Sequence, residues 1–155
     1  MSTSTSAFST KKVQSLGMQR NVATMSEPEY DWGEAVTEKL EELINLEHGW
    51  DGYNSCPVSF ANASFAQALL KEICNADTPS PQIVPGTNGD LQIEWHIQDV
   101  DIELHIVQPY NVRFWTNDEQ LCPSGNEVQL TTVYNVVLPV IRKLTELSND
   151  QSAAA

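Results

Sequence analysis

The chain has 155 residues, enough for one domain around one core, and its 8 basic against 21 acidic residues give a formal net charge of −13. Lys11, Lys12 and Arg20 are the only charged side chains in residues 1–25, so residues 26–155 carry 5 basic against 21 acidic side chains, a difference of −16. A body this acidic repels nucleic acid and anionic lipid, and no apolar run approaches the roughly 20 residues that span a bilayer, which excludes direct nucleic-acid binding by the body and membrane insertion.

Residues 1–25 are rich in Ser and Thr, free of acid, and lack the apolar stretch of a signal peptide. They read as a disordered tail, as a Ser-rich transit segment, or as an over-extended start with Met18 or Met25 as the natural beginning. A single ordered domain is expected over residues 26–150, with a frayed end over 151–155. Trp32, Val36, Leu40, Leu43 and Ile44 recur at helical spacing while Glu34, Glu38, Glu41 and Glu42 take the other side, which predicts an amphipathic helix over about 31–46. Its acidic first half suits the positive end of the helix dipole. Pro57 and a capping Ser59 open a second helix that runs to about Cys74, with Phe65, Leu69 and Ile73 four apart. The Pro- and Asn-containing stretch 75–81 is a loop.

Strands follow. Residues 82–85 form a short strand that Pro85 places at an edge, and the Asn88-Gly89 pair marks a turn. Residues 91–107 then alternate apolar and polar almost without a break. Leu91, Ile93, Trp95, Ile102, Leu104 and Ile106 lie on one side, with Gln92, Glu94, His96, Asp101, Glu103 and His105 on the other. Period two is the mark of a half-buried antiparallel hairpin. A fourth strand over 112–116 and a short fifth over 127–130 complete a meander. Val133, Val136, Val137, Val140, Ile141, Leu144 and Leu147 share one helical stripe, in which Pro139 either kinks the helix or lies in the first turns of one starting near Asn135. The fold class is α+β: two N-terminal helices, a four- to five-stranded antiparallel meander sheet, and a C-terminal helix, the helices covering the Trp95 face.

Three places could carry function. The first is the polar hairpin face with its twin Glu94-x-His96 and Glu103-x-His105. With Gln98-Asp99 as a two-residue turn, Glu94 lies opposite Glu103, His96 opposite Asp101 and Gln92 opposite His105. Imidazole and carboxylate both suit zinc, but side chains on a flat sheet stand parallel instead of converging, so no metal and no cofactor is expected. The second is the loop His48-Gly49-Trp50-Asp51-Gly52-Tyr53-Asn54-Ser55-Cys56. Here Trp50 and Tyr53 either plug the loop into the core or present it to a partner, and His48 with Asp51 or Cys56 would be the acid–base or nucleophilic groups of an enzyme. The third is the helical row of Glu34, Glu38 and Glu41, a solvated face or a regular line of charge for a basic partner. Cys56, Cys74 and Cys122 are odd in number and lack a C-x-x-C pair, so a reducing, cytoplasmic setting is expected. No phosphate-loop, dinucleotide, nucleophile-elbow or zinc-protease motif is present.

Gly49-Trp50-Asp51-Gly52-Tyr53, the following Pro57-x-Ser59 and helix, and then Asn88-Gly89-Asp90-Leu91-Gln92-Ile93-Glu94-Trp95 together resemble a diffuse group of small bacterial proteins. These share a W-D-G-Y type loop before a helix and a turn into an alternating strand ending in E-W. The resemblance spans about residues 40–115 and implies a cytoplasmic bacterial protein of α+β type. It brings no activity or catalytic residues, and His96, His105 and the Ser/Thr-rich start are not part of the pattern.

These features point to a non-catalytic acidic protein that binds a more basic protein partner as a monomer or homo-oligomer, of antitoxin, immunity or accessory-subunit type. The residues expected to make that contact are Glu34, Glu38, Glu41, Trp50, Asp51, Tyr53, Glu94, His96, Glu103 and His105. The alternative is a small hydrolase or metal-dependent enzyme that uses the Glu/His sheet face and the His48–Cys56 loop.

Overall fold

The alternating stretch builds the centre of an antiparallel sheet in the computed structural model, which describes residues 29–155. Residues 1–25, expected to form a tail, lie outside the described residues. Five strands, β1 (Gln82–Pro85), β2 (Leu91–Ile97), β3 (Val100–Gln108), β4 (Asn111–Thr116) and β5 (Val128–Leu130), follow one another across the sheet in chain order. Helices α1 (Gly33–Ile44) and α2 (Phe60–Ile73) precede the sheet and α3 (Leu138–Ala154) follows it. The described residues are thus α+β, with three helices and a five-stranded antiparallel sheet. No helix among them is long and apolar enough to cross a membrane.

Two-residue turns set the register. Gln98 takes φ 53 between Ile97 and its partner Val100, and Tyr110 takes φ 64 between Gln108 and its partner Asn111. The β2–β3 pairs are those the alternation requires: Trp95 with Ile102, Ile93 with Leu104, and Leu91 with Ile106. Because side chains alternate, these residues enter the core together with Ile83, Val112, Phe114 and Leu130. The helices close that core from one side with Val36, Leu40 and Leu43 of α1, Ala63, Ala66, Leu69, Leu70 and Ile73 of α2, and Val140, Ile141 and Leu144 of α3. Among the described residues, no helix lies on the opposite face of the sheet.

Local chemistry fixes the joints. Ser59 is extended (φ −70, ψ 146) and its hydroxyl accepts the Asn62 amide at 3.1 Å, satisfying one of the orphan donors at the start of α2. The buried stripe of α2 is centred on Asn62, Ala66, Leu69 and Ile73, which leaves Phe65 half-buried against the Tyr110 ring at 5.1 Å. Pro139 does not kink α3. Val137 donates to the Tyr134 carbonyl in a turn before the helix, which starts at Leu138, three residues after Asn135, and holds Pro139 in its first turn, where no N–H is needed. The end expected to fray from residue 151 continues the helix through Ala154 with its side chains exposed. Three indoles fasten loops to the core: Trp32 to the Asn75 carbonyl (3.0 Å), Trp50 to that of Cys56 (3.0 Å), and Trp95 to that of Pro79 (2.8 Å).

Candidate functional site

The open face of the sheet is built from the even-numbered residues of β2 and the odd-numbered residues of β3. Glu94 faces Glu103, His96 faces Asp101 and Gln92 faces His105. From β4, Trp115 lies beside Glu103, and Arg113 lies beside His105 with its guanidinium 3.8 Å from Glu127. The side chains do not simply stand in parallel. Gln92 donates its amide to Glu94 Oε1 at 2.8 Å, and the His96 ring spans Asp101 Oδ1 (2.9 Å from Nδ1) and Glu94 Oε2 (3.2 Å from Nε2). They lean along the sheet and pair with one another. Among the described residues, no three His, Cys, Asp or Glu side chains are arranged to hold a metal ion.

Electrostatics follow from these contacts. The bond to Asp101, then that to Glu94, pushes the His96 imidazole above its ordinary range. Burial, then the charge of Glu94, pushes the Glu103 carboxyl upward. Two carboxylates directly across a ladder repel, and the neighbouring His96 ring, bonded to Glu94, offsets that repulsion only in part, since the Glu103 carboxyl is still pushed upward.

One end of the face is closed by the turn over residues 86–90. His105 Nε2 meets Asp90 Oδ2 at 2.6 Å, with the Asp90 side chain only 16% exposed. Burial acts to raise the Asp90 carboxyl, but the bonds from His105 and from the Asn88 amide outweigh it and hold the group below the usual carboxylate range. A cavity of about 290 Å³ lies here, lined by Val84, Pro85, Thr87, Asp90, Gln92 and His105 among others.

The aromatic loop packs behind this turn. Cys56 donates its amide to the Thr87 carbonyl, and Ser59 donates to that of Gly89. Asp51 Oδ1 accepts the amides of Tyr53 (2.9 Å) and Ser55 (3.4 Å), and the Ser55 side chain, then the Tyr53 amide, hold its carboxyl below the usual range. Trp50 anchors the loop, whereas Tyr53 is 83% exposed and plugs nothing. No hydrogen bond joins His48 to Cys56, and no residue of the loop lines the cavity. The other two thiols are buried, which pushes Cys74 up to about 12 and raises Cys122 as well, so neither is a thiolate nucleophile near neutrality.

The ten expected contact residues therefore fall on three surfaces. Glu34, Glu38 and Glu41 lie on the helix layer, across the core from the open face; Trp50, Asp51 and Tyr53 lie in the loop behind the turn; Glu94, His96, Glu103 and His105 lie together on the sheet. Sequence reasoning missed Asp90, Asn62, Arg113 and Trp115. Asp90 has a legible signal, since 90, 92, 94 and 96 share one phase of the strand and its turn places it next to His105. Asn62, 4% exposed, donates to the carbonyls of Gly89 (2.8 Å) and Val107 (3.3 Å), the latter at the register shift in β3.

No family model, curated protein or solved structure matches this chain.

Proposed function

We propose that this protein is a non-catalytic acidic interaction domain that docks a more basic protein on the open face of its sheet. The observation that carries this reading is the opposition of Glu94 and Glu103 in the middle of a face that none of the described helices covers. A lysine or arginine brought between them relieves a repulsion of up to about 1 kcal/mol that the free domain bears. Trp115 beside the pair supplies a half-buried aromatic, a residue type enriched where interfaces carry their binding energy. The −16 excess of residues 26–155 adds long-range attraction for a basic partner. An antitoxin, an immunity protein or an accessory subunit of a defence or regulatory complex acts in this way. A bacterial, cytoplasmic setting agrees with the W-D-G-Y and E-W resemblance.

The test is recovery of the tagged chain from its host at low salt, identification of what co-purifies, and the same capture with Glu94→Gln/Glu103→Gln. The expected result is a partner of basic net charge that the double variant loses and that salt weakens. A partner kept by the double variant but lost with Glu34→Lys/Glu38→Lys/Glu41→Lys places the contact on the helix layer and overturns the reading.

A further inference from the structure

The geometry points to the cavity beside Asp90 and His105 as the anchor pocket for one primary ammonium group, the end of a lysine side chain of the partner. This inference rests on the open face being the surface that takes a basic protein, and it names the side chain that surface selects.

Size is the first argument. About 290 Å³ lies at the foot of the roughly 300–1,000 Å³ range of small-molecule sites, so one long side chain fills the space where a nucleotide or comparable cofactor does not. Val84 and Pro85 contribute apolar wall for a methylene stem, while Asp90, Gln92 and His105 contribute the polar lining. The cavity adjoins the carboxylate pair, because Gln92 is bonded to Glu94.

The polar lining is set up to accept. Asp90, held below the usual carboxylate range, presents an ionised carboxylate to the cavity beside its 2.6 Å bond to His105 Nε2. Gln92 uses its amide nitrogen on Glu94, which leaves its carbonyl oxygen to accept. Gly86 makes the arrangement possible: a Cβ there would stand 2.2 Å from Asp90 Oδ1.

The same contacts choose between the two basic side chains. Asp90 Oδ1 already accepts the Asn88 amide and Oδ2 the His105 ring, so each oxygen keeps one lone-pair direction, a poorer match to the paired bonds of a guanidinium fork than a free carboxylate gives. An ammonium is a compact charge with three rotatable donors and needs no such pair.

The test is a titration of the ¹⁵N-labelled full chain, at low salt, with Nα-acetyl-lysine methylamide and with its arginine and norleucine counterparts. The lysine derivative is expected to give saturable amide shifts at Gly86, Thr87, Gln92 and His105, several-fold weaker for arginine and absent for norleucine. Asp90→Asn is expected to abolish them. Val84→Lys, at an exposed rim position, is expected to fill the pocket in cis and abolish them without touching the Asp90 turn. Equal shifts with norleucine, no saturable shift with lysine, or shifts unchanged in Val84→Lys overturn the assignment. Glu94 and Glu103 do not line the cavity. A lysine-rich peptide that still binds the face through that pair while the lysine derivative leaves the pocket undisturbed would therefore sink the anchor alone.

Discussion

Glu94 and Glu103 stand directly opposite one another in the β2–β3 ladder, and burial together with the charge of Glu94 raises the Glu103 carboxyl above its ordinary value. A fold that raises a carboxyl pKa binds the proton more tightly than the unfolded chain does. Its contribution is present in full below the unfolded value and is lost as pH rises through the folded one. Glu103→Gln should therefore stabilise the domain near neutral pH by about 0.2–1 kcal/mol, and the gain should vanish in acid where both forms are neutral. Urea unfolding of the two proteins at the two pH values checks this, and a loss of stability near neutrality would contradict it.

His96 has the opposite chemistry but the same pH sign. Its raised pKa comes from Asp101 first and Glu94 second, so the stabilising imidazolium contacts are complete below the ordinary histidine range and fade as pH rises through the folded value. An NMR titration should place the His96 midpoint above that of an unperturbed histidine, and Asp101→Asn should lower it more than Glu94→Gln does. A midpoint indifferent to both substitutions would remove the clamp from the account. The same proton gives the open face a positive charge, so binding of a basic partner should strengthen as pH rises through this midpoint.

Trp95 and His96 are neighbours on opposite faces. Trp95 is 2% exposed and its indole holds the Pro79 carbonyl, whereas the His96 side chain is 46% exposed. Trp95→Ala should cost about 3–5 kcal/mol, with His96→Ala costing a small fraction of that. Equilibrium unfolding decides, and a reversed order would invert the two faces of the sheet.

Asn62 links α2 to both ends of the β2–β3 hairpin region through the carbonyls of Gly89 and Val107. Asn62→Ala takes the side-chain donor from both carbonyls, of which that of Gly89 keeps the Ser59 amide, and should cost about 1–3 kcal/mol. Ser59→Ala, which removes only the helix cap, should fall within about 0.5–2 kcal/mol. Urea titrations of both variants check the magnitudes. Protection of the Asn62 amide from hydrogen exchange should drop in the cap variant, and an unchanged rate there would show that the cap bond does not hold that end.

The sheet was legible because period two and a two-residue turn leave a single register in which Trp95, Ile93 and Leu91 all go inward. The Ser59 cap was legible because the signal is local. What stayed hidden depends on contacts distant in the chain. The start of α3 follows from a turn in which the Tyr134 hydroxyl reaches the Thr131 carbonyl and Val137 reaches that of Tyr134, which helical periodicity does not encode. The buried polar Asn62 shares the helical stripe of Leu69 and Ile73, but the two distant carbonyls that it serves are not encoded in that spacing. At the candidate site the carboxylate pair was readable. The Asp90–His105 pair was missed although 90 shares the phase of 92, 94 and 96, because Asp90 lies in the turn just before the strand begins.

The two outer strands are short, four and three residues, and the first is bounded by Pro81 and contains Pro85. A proline offers no N–H to a neighbouring strand, and three residues give little length for a ladder, so strand addition finds scant purchase at either border. A basic partner docked as proposed then arrives broadside and is recognised by side chains, not by backbone. Recognition of that kind tolerates a partner of almost any secondary structure, provided its positive charges match the spacing of the carboxylates.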